Sequence, residues 1–149
     1  MSKKILVPGG TGAMGVYLVP ELLKMGYEVD VIALDDMESS DPKLRYIKAN
    51  AKDKEYIAEM LKNGYDAVVD FMTYWSKEER DTFPKLYLEN TKHYIFLSTY
   101  RVYANEEHPI KETSPRILDV ATDEDILNSG DYCIHKAQSE EFLKASGFT

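Results

Sequence analysis

The sequence predicts an α/β fold, a doubly wound parallel sheet, and three observations predict it. Strand-like and helix-like segments alternate along the chain. The strands are nearly continuous apolar runs, "AVVDFM" and "HYIFL" among them, as expected where helices cover both faces of a sheet. The first strand is followed at once by the glycine-rich stretch "PGGTGAMG", the turn such folds place between their first strand and first helix. At 149 residues, with no internal repeat and no dividing linker, the chain is expected to form one domain over 1–149.

Each element has its own signal. Lys4 to Val7 reads as the first strand, and a helix runs from about Ala13 to Met25, closed by Gly26. Pro20 lies inside that helix, where it removes a backbone donor and is expected to weaken or kink it. Glu28 to Leu34 and Leu44 to Lys48 read as the next strands. Asp53 to Lys62 reads as the second helix, ended by Asn63-Gly64. Ala67 to Met72 is the fourth strand, and Ser76-Lys77-Glu78-Glu79 has capping-box spacing for a helix to about Leu88. The run "HYIFLS" from His93 is the fifth strand. From Val102 to Gly130 Pro109, Pro115 and the acidic "DEDILNSGD" break the pattern, so a long loop with a short helix is expected. Asp131 to Ala145 recovers a helix, and at Gly147-Phe148-Thr149 a further strand is expected to begin.

Composition narrows the function classes. The net charge of −8 and the absence of a Lys/Arg stripe argue against nucleic acid as the main partner. No apolar run approaches the roughly 18 residues of a membrane span. The run after Lys3-Lys4 is cut short by Pro8-Gly9-Gly10, so no secretory h-region forms and a cytoplasmic location is expected. The single Cys133 supports neither an internal disulfide nor a metal cluster, so no metal site is expected.

Gly10-x-Gly12-x-x-Gly15 is a dinucleotide-binding fingerprint in the right context, after a strand and opening a helix. Glycines permit the tight turn, the close approach of backbone to a pyrophosphate and the packing of helix on sheet, and the helix N-terminus favours the anion. The second strand ends "VIALDDM". Asp35, with Asp36 beside it, is placed to bind the adenosine ribose and disfavour a 2′-phosphate. No Arg or Lys lies close by in sequence to receive that phosphate, so NAD is expected over NADP; a solvated turn is the other reading of the two acids.

Tyr132-x-x-x-Lys136 sets a phenol and an ammonium one helical turn apart. With eleven tyrosines in the chain such a pair arises readily by chance, and its position gives it meaning. It opens the last helix, while the fifth strand ends in "FLSTYRVY" and supplies Ser98 and Thr99 where strand C-termini line a ligand crevice.

Gly9-x-x-Gly12-x-x-Gly15, "AVVDF", "LSTYRVY" followed by "KETSP", and Tyr132-x-x-x-Lys136 together resemble the short-chain dehydrogenase/reductase superfamily, in its extended or atypical branches. The resemblance covers the whole chain and implies a Rossmann-type fold. It implies Thr99, Tyr132 and Lys136 as the catalytic set. Tyr132 exchanges a proton with a substrate hydroxyl or carbonyl, Thr99 orients that oxygen, and Lys136 favours the phenolate and binds the nicotinamide ribose. Ser98 is read as a structural neighbour. The cofactor contacts implied are Gly9, Gly10, Thr11, Gly12, Ala13, Met14, Gly15, Asp35, Asn50, Ala51, Phe71, Met72 and Lys136. The activity implied is an NAD(P)-dependent epimerase, dehydratase or reductase acting on a nucleotide sugar or related substrate, with pairing of the 76–88 and 131–145 helices into a dimer. "YDAVVDFMTY" and "STYRVYAN" look closest to atypical relatives, which keeps open a non-catalytic dinucleotide-binding regulator or an RNA-associated protein.

The chain also departs from that pattern. Pro8 stands where Thr is frequent, and the usual acidic position after the glycine loop falls on Ala33, two residues before Asp35. Asn50 replaces a common Asp. Extended members continue well beyond this length, so an N-terminal fragment, cofactor-binding only in part and itself inactive, is expected. Tyr74 and Trp75 are assigned to packing, His93, His108 and His135 to the surface, and Cys133 to no chemistry.

Overall fold

The computed structural model describes residues 2–147 and has the α/β architecture the alternation predicts. Phe148 and Thr149, where a further strand is expected, lie outside the described residues. Five strands, β1 (Lys4–Pro8), β2 (Glu28–Ala33), β3 (Leu44–Lys48), β4 (Ala67–Asp70) and β5 (His93–Phe96), form one sheet in the order β3-β2-β1-β4-β5. Every neighbouring pair is parallel. Between them run α1 (Gly15–Lys24), α2 (Lys54–Leu61) and α3 (Lys77–Asn90). The chain groups into two compact units: residues up to Met72 with Thr82–Leu97, and Thr73–Asp81 with the residues from Ser98 on.

The first unit contains the sheet, and strand order decides which face each helix covers. The chain steps from β1 outward to β2 and β3, then returns across the sheet to β4 and β5. Right-handed crossovers therefore put α1 on one face and the later helices on the other. On the α1 face Ile5, Val7, Val29, Val31 and Val69 pack against Val19 and Leu22 of the helix. On the opposite face Leu6, Ile32 and Val68 are fully buried, as is Ile57 of α2, and Tyr87 of α3 stacks on Tyr94 with ring centroids 5.6 Å apart. Continuous apolar strands are thus required on both faces.

Two buried carboxylates interrupt the second face: Asp70, which accepts from the Tyr94 hydroxyl at 2.6 Å, and Asp30, which anchors a larger cluster. Asp30, 5% exposed, accepts from Arg45 Nε at 3.1 Å and Nη2 at 2.7 Å and from the Tyr65 hydroxyl at 2.5 Å, with Lys4 Nζ 3.4 Å away. Burial pushes its carboxyl up, but the hydrogen bonds from Arg45 and Tyr65 and the charges of Arg45 and Lys4 outweigh that and hold it below the ordinary carboxylate range. Burial and the Asp30 hydrogen bond raise the Tyr65 phenol, so it stays a donor.

Pro20 is accommodated inside α1, and a second proline, Pro84, lies inside α3. The capping residues at the start of α3 share their work differently from a reciprocal box. Ser76 Oγ accepts from Glu79 N–H at 3.1 Å, while the Glu79 carboxylate accepts from Trp75 N–H at 2.8 Å, one residue further back.

The second unit holds the long connection as a 3₁₀ turn (Tyr100–Val102) and two single-turn helices, α4 (Ile117–Val120) and α5 (Glu124–Leu127). It ends in α6 (Tyr132–Ala145), whose N-cap Asp131 accepts from Cys133 N–H. Among the described residues no helix is long and apolar enough to cross a membrane.

Replacing Asp30 by Ala leaves Arg45 and Lys4 around a cavity without a counter-charge, and should cost about 3 kcal/mol in urea unfolding. Because the folded carboxyl ionises below the unfolded one, Asp30 stabilises the fold above the unfolded value of about 4. That contribution fades as pH falls through the folded value, and the Asp30→Ala variant should lose the corresponding acid slope.

Candidate active site

The glycine loop joins β1 to α1, and each glycine meets a different constraint. Gly9 has φ +74°, a conformation that favours glycine, and its N–H bonds the Ile32 carbonyl at 2.9 Å. A Cβ on Gly15 would lie 2.0 Å from the Gly10 carbonyl oxygen, so the start of α1 presses on the loop. A Cβ on Gly10 would lie 2.8 Å from Val7 Cγ1 and 3.0 Å from Val31 Cγ1, which ties the loop to the core. Gly12 differs: its Cβ would meet only the Gly9 carbonyl oxygen, at an ordinary 3.4 Å. Internal packing therefore does not demand glycine at position 12.

Beyond the loop, α1 begins without a side-chain cap and without an acidic residue in its first turn. By contrast α2 and α6 are capped by Asp53 and Asp131. The Val16 and Tyr17 N–H groups bond the Gly12 and Met14 carbonyls at 3.2 Å, and the helix start turns the positive end of its dipole toward the loop, with Ala13 and Met14 exposed beside it.

The loop opens on a cavity of about 340 Å³ at the C-terminal ends of β1, β2 and β3. Gly9, Thr11, Asp35, Asn50, Ala51 and Met72, all expected contacts, line it. Phe71 meets the loop from below, its Cβ 3.4 Å from where a Gly9 Cβ would sit. The Thr11 hydroxyl donates to the Asp35 carboxylate at 2.5 Å, joining the glycine loop to the end of β2. Asn50 Oδ1 accepts from Lys52 N–H at 2.9 Å, which fixes the turn after β3.

The expectation that no cation lies near the acidic pair is corrected. Lys48 ends β3 directly opposite Ala33, and its Nζ is 2.8 Å from Asp36 Oδ2. Twelve positions separate them in sequence, and strand pairing brings them together.

The second unit presents Thr99, Tyr132 and Lys136. Lys136 is 1% exposed, with Nζ 5.8 Å from the centroid of the Tyr132 ring. Thr99 caps the 3₁₀ turn by accepting from Arg101 N–H at 3.3 Å, and its O–H remains a donor. Two cross-links bracket it against α6. Ser98 donates to Glu140, and Arg101 Nη2 lies 3.6 Å from Asp131 Oδ2, one residue before Tyr132. Glu140 also pairs with Arg116, whose guanidinium sits 5.1 Å over the Tyr103 ring. Ser98, Thr99, Tyr103, Glu112, Arg116 and Glu140 line a polar cavity of about 390 Å³. Sequence reading missed Arg116 and Glu140, although Tyr132, Lys136 and Glu140 follow at i, i+4 and i+8 along one helical face.

His93 and His108 are exposed, and His135 is half-buried. Its Nδ1 lies 2.9 Å from Arg80 Nη1 and its ring meets Trp75 edge-on at 5.2 Å, while Tyr74 is fully buried. Cys133 is buried. Among the described residues no group of His, Cys, Asp and Glu is placed to hold a metal ion.

A family model, the NAD dependent epimerase/dehydratase family, matches residues 5–147. The chain belongs to that family. Among curated relatives, the UDP-glucose 4-epimerase of Lacticaseibacillus casei is 26% identical over 136 residues, 76% of this chain and 40% of its own length. That of Lactobacillus helveticus is 27% identical, over 75% of this chain and 40% of its own length. The chain thus spans less than half the length of the curated relatives it matches. Among solved structures, Bordetella bronchiseptica WbmH in complex with NAD⁺ shares the fold with a TM-score of 0.77 at 19% identity, over 99% of this chain and 54% of that one. The dTDP-glucose 4,6-dehydratase of Bacillus anthracis in complex with NAD gives a TM-score of 0.70 at 19% identity, over 99% and 52%. The fold is therefore common to chains that diverge widely in sequence.

Within this epimerase/dehydratase domain His135 gives a pH test. Burial, and then the neighbouring Arg80 charge, hold its imidazole below the ordinary value. The unfolded chain therefore takes up the proton first, and stability present above about pH 6.5 is lost as pH falls. Urea unfolding followed by Trp75 fluorescence should show this loss between about pH 7.5 and 5.5, and His135→Gln should flatten it.

Proposed function

We propose that this domain binds NAD through its glycine loop and belongs to a nucleotide-sugar epimerase or dehydratase working through Thr99, Tyr132 and Lys136. The observation that carries the reading is the loop itself. Gly12 is bare of packing demands, the start of α1 is uncapped, and both stand beside a cavity walled by Asp35 and Asn50. Those features suit a pyrophosphate at the helix start and an adenosine in the cavity, where the joined Thr11 and Asp35 side chains offer a hydroxyl and a carboxylate to ribose hydroxyls. The UDP-glucose 4-epimerases and the dTDP-glucose dehydratase among the relatives point to the substrate class.

When bound, NAD supplies reversible uptake of a hydride from a sugar carbon. The chain's own residues manage the matching proton. Tyr132 takes it from the sugar hydroxyl and returns it to the carbonyl oxygen when hydride comes back. Buried Lys136 sets its Nζ 5.8 Å from the centroid of the Tyr132 ring, and Thr99 donates its O–H to the sugar oxygen to hold it. The Ser98–Glu140 and Arg101–Asp131 links act on this site by fixing the chain on either side of Thr99. We also propose that the protein dimerises through α3 and α6, and light scattering across the micromolar range should show the dimer.

Two glycine substitutions separate architecture from binding. Gly15→Ala forces a methyl group into the Gly10 carbonyl and should destabilise the fold by about 1–3 kcal/mol. Gly12→Ala should leave thermal unfolding nearly unchanged yet weaken NADH binding in calorimetry by about tenfold or more, roughly 1.4 kcal/mol. Equal NADH affinity in Gly12→Ala and parent would remove the loop from the nucleotide site. In NAD-dependent turnover of UDP-glucose by the whole enzyme to which this domain is proposed to belong, Tyr132→Phe should lower kcat by about 10²–10⁴-fold with folding preserved.

A further inference from the structure

The rim of the cavity at the end of β2 is built differently from a single acidic residue facing a ribose. Ala33 occupies the strand end, its carbonyl taken by Ala49 N–H at 2.9 Å. Leu34, Asp35, Ala49 and Asn50 line the cavity, and the next residues outward are Asp36 on one side and Lys48 on the other. These two close on each other at 2.8 Å outside the lining, and both remain well exposed, with side chains 59% and 78% accessible for Lys48 and Asp36. Asp35 is engaged separately by Thr11. One carboxylate thus faces the ribose position, while a second occupies a lysine one residue beyond that position.

We propose that the Asp36–Lys48 pair is a specificity determinant at this rim: Asp36 occupies the cation that would otherwise receive an adenosine 2′-phosphate. The inference rests on the reading of the cavity as the adenosine site. A 2′-phosphate needs a positive partner to offset its charge beside Asp35, and we assign that part to Lys48, the lysine already paired with Asp36. With Asp36 present, Lys48 is already neutralised and the doubly acidic rim repels the phosphate. With Asp36 made neutral, net charge at the rim rises by one and the ammonium can turn to the phosphate. A cofactor with an unmodified ribose makes no such demand on Lys48 and should be indifferent to the change. An exposed pair contributes little to stability, so removing it leaves the fold intact.

The test is calorimetric titration of the protein with NADH and with NADPH, for the parent, Asp36→Asn, and Asp36→Asn/Lys48→Met. The parent should bind NADH in preference to NADPH. Asp36→Asn should tighten NADPH about tenfold while NADH changes less than twofold, and Lys48→Met added to it should abolish the gain. The gain should also shrink at higher salt, as expected for a rim-exposed phosphate contact. A gain that survives Lys48→Met, a gain shared equally by both cofactors, or no gain would overturn the specificity role. Binding of neither cofactor by the parent would instead overturn the assignment of the cavity, and the inference with it.

Discussion

The contact between the start of α1 and the Gly10 carbonyl is the constraint on which the site depends. Any side chain at position 15 would sit inside that carbonyl, so the helix can begin where it does only because residue 15 has none. That approach, with Gly10 pressed on Val7 and Val31, fixes the height of the loop over the ends of β1 and β2. It leaves the first turn of α1 uncapped and open. The tight, glycine-dependent packing below and the loose, undemanding Gly12 above are two sides of one arrangement. The loop is tightly packed where it meets the core and bare at Gly12.

The sheet order supplies the other half of the geometry. Because the chain reverses direction after β3, β1 is flanked by β2 and β4, and their C-terminal ends diverge around the glycine loop. This is the switch point at which open parallel sheets bind ligands. Continuous apolar strands make it possible, since both faces must be buried under helices for the strand ends to be the accessible edge. The buried Asp30 and Asp70 are the exceptions; Arg45, Tyr65 and Lys4 together satisfy the first, and the Tyr94 hydroxyl bonds the second.

The second unit organises its chemistry by cross-linking. Thr99 lies on irregular chain, where an isolated hydroxyl would wander, and is fixed because Ser98 is held by Glu140 and Arg101 reaches Asp131. Glu140 is in turn held by Arg116, which lies on the connection before α4. Helix α6 thus carries Tyr132, Lys136 and an anchor for the Thr99 segment on one face.

The sequence by itself determined the element order, the parallel class of the sheet, the glycine loop and the Tyr132–Lys136 spacing. All of these are local periodicities or motifs whose physical meaning is confined to one strand, turn or helix. The starts of α2 and α6 were legible too, and the structure shows Asp53 and Asp131 capping them by bonds to N–H groups two or three residues along. Only the tertiary structure decided what faces what. It brought Lys48 to Asp36 through the β2–β3 register, Arg116 and Glu140 to Ser98, and Arg80 to His135. Such pairs join residues distant in sequence through side chains of ordinary type, and no spacing rule marks them. Strand pairing and helix packing choose the partner, so charge at the cavity rim and order around Thr99 became visible only when the chain was folded.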